Sequence, residues 1–385
     1  MSSSSEAGLS TDALKTVLGE QVARYFFPLE VNNPLSEEEN SLLEQELLKL
    51  AGFENMRDFL ETVAPKTVIV TFIAGAGSRW VKSLQENPDL IQQYGIVEGY
   101  PRALANVKVG EEEQVPIAVY NLLAVSGLGT QIIVYGGSTD EEAENNRKLI
   151  EQEIVERVKN KISGFMEPVF IRQRIHPGQQ KPLGHGDALL QIIKSDEGRE
   201  ALEGKRYIIT NFGGDPNSYR TAVLSLLAMY VLDNNNLNIG VLIPTAIASD
   251  TPPYGIFIDG NGLPAGVSHK KENIKSSKET EPTNQTNVGM RFYLLDPLTQ
   301  TAQPYEDLYD QIARGNSTVS YPNGELKLDH FDGDMMRKRQ ALTFLIAGRD
   351  EIEAVKTVDC IPSFEKAMRE ILKRDGIFRG RHNLS

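Results

Sequence analysis

The sequence holds one cysteine, Cys360, in 385 residues. No intramolecular disulfide can form, and no cysteine–histidine spacing of a zinc site occurs. Also lacking is any apolar run of the roughly 18–20 residues that a membrane-spanning helix needs. Met1 to Ser5 lead straight into Glu6, without the basic and apolar stretches of a secretion signal. The expectation is a soluble chain in a reducing compartment, the cytoplasm, with no membrane partner. Positive charge is short as well: 40 Lys and Arg stand against 53 Asp and Glu, a net charge of −13. That balance argues against a protein that grips nucleic acid by neutralising phosphates. A small anionic substrate is still compatible, because a pocket needs only a few local cations or a metal.

What is present is globular material, 40% hydrophobic and 24% charged. This suffices for one large domain or two modest ones. Residues 1–65 are rich in Glu and Leu at helical spacing, and Ser36 followed by Glu37, Glu38 and Glu39 reads as a capped helix start. This is a helical N-terminal extension. It either covers the main domain or forms a contact between two copies, which would make a homo-oligomer. From residue 66 to 385 the pattern changes to short β-branched runs alternating with helices. Strands are expected at Lys66–Ile73, Gln131–Tyr135, Pro168–Arg172, Tyr207–Thr210 and Asn238–Ile243. Helices are expected from about Pro116 to Val125 and from Asp140 to Lys159. Strands separated by helices imply parallel pairing through right-handed crossovers. The fold class is therefore α/β, an open, mostly parallel sheet flanked by helices. In such sheets ligands bind beyond the carboxyl ends of the strands.

The first strand runs into Ala74-Gly75-Ala76-Gly77-Ser78-Arg79. Glycines there permit a tight turn and bring backbone N–H groups close to an anion, and Arg79 adds a planar cationic fork. Trp80 stands where a dinucleotide fingerprint needs its third glycine, and the G-x-x-x-x-G-K-[ST] loop is absent. A plain tight turn without ligand remains the alternative. Further on, Gln173 at a strand end offers a donor and an acceptor to a base edge. Gly184-His185-Gly186-Asp187 is a glycine-rich turn into a helix, with Asp187 in the favourable first turn. Asp215 follows a buried strand through Gly213-Gly214, a place suited to a hard cation or to a turn before Pro216. Pro253–Gly262 reads as a hairpin, and Ser268–Asn287 as a long polar loop, either a lid or a surface insertion. The acidic cluster Asp329–Asp334 lacks the calcium-loop pattern and reads as a surface turn. Cys360 reads as buried packing.

Taken in order, these segments resemble the sugar-1-phosphate nucleotidyltransferases, the nucleoside diphosphate sugar pyrophosphorylases. Ala74-Gly75-x-Gly77-Ser78-Arg79 is similar to their A-G-x-G-[ST]-R signature. Gly99-Tyr100-Pro101-Arg102 resembles the following P-K segment, with arginine in place of the lysine and about twenty intervening residues. Arg172-Gln173 is similar to the R-Q of bacterial UDP-glucose pyrophosphorylases. Gly184-His185-Gly186-Asp187 resembles the G-H-G-D of eukaryotic UDP-glucose and UDP-sugar pyrophosphorylases. Both comparisons imply uracil recognition. Asp215 matches the family's strand-end aspartate, and Asp359, within Val355–Ala367, matches its late one; together they imply a magnesium site. Gly255, Lys270 or Lys271, and Thr286-Asn287-Val288-Gly289 resemble the series that lines the sugar-phosphate pocket, without its glutamate.

The resemblance runs from residue 66 to about 370. It implies a Rossmann-like nucleotidyltransferase fold of the glycosyltransferase A type. It also implies an activity that joins a nucleoside triphosphate, UTP, to a sugar-1-phosphate with release of pyrophosphate. Arg79, Arg102, Lys270 and Lys271 would be the catalytic cations. Ala74, Gly75, Ala76, Gly77, Ser78, Gln173, Gly184, His185, Gly186 and Asp187 would hold the nucleotide. Asp215 and Asp359 would hold Mg2+. Two rivals stand beside it. A glycosyltransferase would need a D-x-D motif, and Gly213 and Gly214 precede Asp215 instead. A non-catalytic nucleotide-sugar sensor would bind ligand without releasing pyrophosphate.

Overall fold

Thr67–Phe72 reads Thr-Val-Ile-Val-Thr-Phe, and all six side chains are buried. A strand buried on both faces has to lie inside a sheet with helices on each side. The computed structural model of the chain shows this. It describes residues 9–27, 34–73, 78–96, 101–110, 114–137, 139–159, 166–175, 182–248, 255–268, 280–305 and 325–384. For Ser78, Arg79, Val267 and Ser268 it describes the backbone only.

The buried run is β1. β2 (Asn106–Val107) and β3 (Val115–Pro116) form a separate two-stranded ribbon. β1 pairs in parallel with β4 (Thr130–Tyr135) and β6 (Tyr207–Phe212), and β4 pairs in parallel with β5 (Val169–Arg172). The other half is built from β7 (Val241–Ile247), β8 (Gly255–Ile258), β9 (Pro264–Ser268), β10 (Glu281–Asn287), β11 (Arg291–Leu294) and β12 (Ala341–Leu345). The ten-stranded sheet has the order β5-β4-β1-β6-β11-β7-β10-β8-β9, with β12 beside β7. β8, β9, β10 and β11 pair only in antiparallel fashion, and of these β9, β10 and β11 run opposite to the rest of the sheet.

Three helices precede the sheet: α1 (Thr11–Ala23), α2 (Glu37–Ala51) and α3 (Met56–Val63). α2 begins with a capping box, in which the Ser36 hydroxyl accepts from Glu39 N and the Glu39 carboxylate accepts from Ser36 N. Between β1 and β5 come α4 (Ser78–Glu86), α5 (Pro88–Gln93), α6 (Ile117–Leu123), α7 (Asp140–Leu149) and α8 (Glu156–Lys159); a π-wound stretch, Ile150–Val155, joins the last two. Next are α9 (His185–Lys194), α10 (Asp196–Leu202), α11 (Tyr219–Asn234), α12 (Leu295–Ala302), α13 (Leu328–Arg337) and α14 (Ile361–His382). Leu14, Leu18, Leu43, Leu47 and Phe59 of the first three helices share one core with α11 and with one face of the sheet. α9 and α13 cover the other face. No helix among the described residues is long and apolar enough to cross a membrane.

Two expectations are corrected. The second part of the polar segment Ser268–Asn287 is not loop: Glu281–Asn287 is β10, an interior strand between β7 and β8. Two of its buried side chains are polar and satisfied, with Thr245 Oγ1 donating to Gln285 Oε1 at 2.7 Å and Thr283 Oγ1 to Ile256 O at 2.9 Å. Residues 269–279 of that segment lie outside the described set. The acidic cluster 329–334 is not a surface turn either. It lies on α13, and Asp332 is 1% exposed because two side chains from β11 hold it.

Candidate functional site

β1, β4, β5 and β6 all end on the same side, so Phe72, Tyr135, Arg172 and Phe212 mark one rim of the sheet. Beyond β6 the chain passes Gly213 and Gly214 to Asp215, whose side chain is largely buried at 18% exposure. Arg102 reaches the same point from the segment before β2. Its Nη2 lies 3.4 Å from Asp215 Oδ1, and its Nη1 donates to Val355 O at 2.9 Å. The guanidinium crosses Gly214 so closely that a Cβ there would fall 2.5 Å from Arg102 Nε. On the opposite side Gly289, with φ +80°, leaves room for the aspartate: a Cβ there would fall 2.5 Å from Asp215 Oδ2. Glycine is needed on both counts, the left-handed backbone and the contact.

Burial pushes the Asp215 carboxyl above its usual range, and the charges of Arg102, Lys356 and Arg291 pull the other way. Arg291 is itself paired with Asp332, so Arg102 and Lys356 supply the positive field left at this carboxylate, a field that suits phosphate. Lys356 and Arg291 escaped the sequence reading. Arg291 and Tyr293, two apart on β11 and so on one face, both donate to Asp332, at 2.8 and 2.7 Å. Arg291 Nη1 also donates to Asn287 Oδ1 at 3.3 Å. Asn287 Oδ1 accepts from Gly289 N at 3.3 Å, while its buried Nδ2 has no hydrogen-bond partner among the described residues. That orphan amide sits two residues from the glycine that cradles Asp215. Gly255 pairs with Thr286 across β8 and β10. Gly255, Thr286, Asn287 and Gly289 thus form a continuous wall reaching to Asp215.

The glycine-rich turn before α9 has a structural explanation. Gly184, at φ +97°, and Gly186 lie against Leu326 and Lys327, and a Cβ on Gly186 would fall 2.7 Å from the Lys327 carbonyl carbon. Asp187 is fully buried and accepts from Arg174. Its carboxylate is thus committed within the protein. His185 Nδ1 accepts from Leu328 N at 2.9 Å, and its ring meets Phe72 and Phe212. Burial pushes this imidazole down to about 3. Gln173 is 9% exposed, and its N–H donates to Tyr135 O at 2.6 Å, which fixes it just past β5.

The late segment joins the site through its backbone, with Val355 N donating to Gly214 O at 3.1 Å. Asp359 lies exposed on the short turn Val358–Cys360. Val358 N donates to Ser83 Oγ of α4 at 3.0 Å, and buried Trp80 packs with Val355, Val358 and Ile361. The helix after the glycine-rich loop and the segment of Asp359 are thereby clamped together. Cys360 is partly exposed rather than buried, with its Sγ 3.0 Å from Thr357 Oγ1. Ala74–Gly77, Lys270 and Lys271 lie outside the described residues, as do the side chains of Ser78 and Arg79.

A hard cation fits Asp215 on one condition. Among the described residues no group of three or more His, Cys, Asp or Glu side chains could hold a metal. Magnesium takes one or two carboxylates and fills its shell from phosphate and water, so Asp215 would suffice only with a bound phosphate beside it.

No family model matches the sequence, and no curated protein matches it. Solved structures do. A uridine diphosphate N-acetylglucosamine pyrophosphorylase from Trypanosoma brucei aligns with 91% of this chain and 74% of its own, with a TM-score of 0.53 and 10% identity. A UDP-glucose pyrophosphorylase solved with UDP-glucose covers 80% of this chain and 99% of its own, at a TM-score of 0.46 and 13% identity. The first likeness shows a shared fold: the chain has the sheet and helix arrangement of a sugar-nucleotide pyrophosphorylase.

Proposed function

We propose that the protein joins a nucleoside triphosphate, UTP, to a sugar-1-phosphate, giving a nucleotide sugar and pyrophosphate. The observation that carries this reading is the convergence of Arg102, Asp215, Gly289 and Lys356 beyond the carboxyl end of β6. Four separate segments of chain meet there and set one carboxylate beside Arg102 and within the field of Lys356. The choice of uracil rests on Gln173 and the Gly184–Asp187 turn. It agrees with the uridine diphosphate sugar for which the Trypanosoma protein is named.

An oxygen of the sugar phosphate attacks the α-phosphorus in line. The bond from that phosphorus to the β-phosphate oxygen breaks, and pyrophosphate leaves. The protein supplies no nucleophile, so its work is to position two anions and offset charge. Arg79 and Arg102 hold the triphosphate end. Lys356, with Lys270 or Lys271, faces the sugar phosphate. Asn287 offers its unpaired Nδ2 to a sugar hydroxyl, and Gly255 and Thr286 shape that wall. Asp215, with Asp359, would hold Mg2+, and the ion would supply charge neutralisation to the phosphates. Ala74 to Ser78 bring backbone N–H groups to the phosphates, and His185 packs beneath the base.

The test is pyrophosphate release with magnesium, across four nucleoside triphosphates and a panel of sugar-1-phosphates. Release that needs one triphosphate and one sugar phosphate together supports the reading and names the pair. Triphosphate binding without release from any pair would replace it with a nucleotide-sugar sensor, a reading that the Arg102–Asp215 contact would then explain.

A further inference from the structure

A cavity of about 760 Å3 opens at the other end of the sheet, where β4 begins. Pro65 and Thr130 place its rim at the start of β1 and β4, and its lining reaches Ile133, which pairs with Thr71 near the Asp215 end. Its volume falls in the range of small-molecule sites. Leu60, Leu122, Ile133 and Val158 give it apolar walls. Gln131 is 7% exposed, and its buried Oε1 has no hydrogen-bond partner among the described residues. Lys205 Nζ donates to Pro65 O and Thr130 Oγ1, both at 2.9 Å, and has no carboxylate partner among the described residues. Arg57 stands at the same rim and donates to Asn383 O at 2.9 Å. Glu61 shares the rim and disfavours a multiply charged anion. An apolar body, one negative charge and one donor for Gln131 are what this lining satisfies.

The walls also hold the segment that carries Asp215. Next to Leu122, Asn121 Nδ2 donates to Gly213 O at 2.7 Å, and Asn121 Oδ1 accepts from Asn217 Nδ2 at 3.4 Å. Tyr219, which lines the cavity, opens α11 four residues after Asp215. A guest pressing on Leu122 and Tyr219 therefore acts on both flanks of Gly213–Asn217.

We propose that this cavity is an effector site for a small amphipathic monoanion carrying a hydrogen-bond donor, and that its occupancy changes how the Asp215 end binds the triphosphate. The binding half stands alone; the coupling half rests on the reading of Asp215 given above. The probe is 8-anilinonaphthalene-1-sulfonate, which has two aromatic bodies, one sulfonate and one N–H. Fluorescence titration of the full folded chain should saturate at one probe per chain. Lys205→Glu, and Ala64→Phe at the cavity rim, should each weaken it at least tenfold, with circular dichroism and thermal midpoint reporting that each variant is folded. Unsaturable binding, or affinity unchanged in both folded variants, overturns the site. Saturating probe should change the KM for the triphosphate severalfold in the native chain and leave Ala64→Phe unmoved. An unchanged KM in the native chain overturns the coupling. Absence of turnover with every substrate pair would remove the proposed activity, and the titration would still decide the site.

Discussion

At the scale of single residues, Asp215 is a carboxylate placed where folding alone would not put it. Its raised pKa means that the folded chain holds this proton more tightly than the unfolded one. The charged form therefore costs stability as pH rises above the ordinary carboxylate range. Asp215→Asn should lower pyrophosphate release on the order of 10²-fold while the thermal midpoint stays level or rises. A fall in both would make Asp215 structural. Gly289→Ala should be worse for folding: positive φ and the contact with Asp215 Oδ2 together should cost about 1–3 kcal/mol, read by denaturant titration. Asp332→Asn removes the nearer carboxylate of buried Arg291, leaving Asp329 at 3.9 Å, and should cost about 3 kcal/mol. His185 behaves oppositely to Asp215. Between pH 6.5 and about 3 the unfolded chain protonates this imidazole and the folded chain does not. Stability should fall with pH across that window by up to about 1.4 kcal/mol per unit. Urea midpoints for the native chain and His185→Gln test this, and equal slopes would remove the assignment. Much of this site was legible as isolated charges: Arg102 and Asp215 stood out beside their glycines. Arg291 with Asp332 was not, because a strand and a helix 41 residues apart supply the pair.

At the scale of elements, legibility followed how each one is buried. β1 is an unbroken β-branched run because both its faces meet helices. β10 reads Glu-Pro-Thr-Asn-Gln-Thr-Asn, and no hydrophobic pattern marks it. It is nonetheless interior, since Thr283 and Gln285 satisfy their polar atoms within the sheet, a bookkeeping that no periodicity records. α13 was hidden by its acids, because one of them, Asp332, faces inward. The start of α2 was plain, since capping uses local residues alone. Ser36→Ala should lose about 1 kcal/mol of stability with turnover unchanged.

At the scale of the whole molecule, the first three helices are not a detachable ornament. Phe26 stacks on Phe344 of β12 with ring centroids 4.7 Å apart, and Leu47 and Phe59 lie in the same core as α11. Removing residues 1–65 should leave a chain that aggregates, seen by size-exclusion chromatography and loss of cooperative melting. A soluble, cooperatively melting product would mark a separate unit. The far end is fastened to the same helices, with Arg381 donating to Glu44 and to Ser41 Oγ, both at 2.6 Å. The Phe26–Phe344 stack sets a waiting time during synthesis. At about 5–20 residues per second, roughly 320 residues must follow Phe26 before its partner emerges, or about 16–64 s. Through that interval the apolar faces of α1–α3 have no sheet to cover. The nascent chain is then most in need of a chaperone while its earliest residues wait for some of its last.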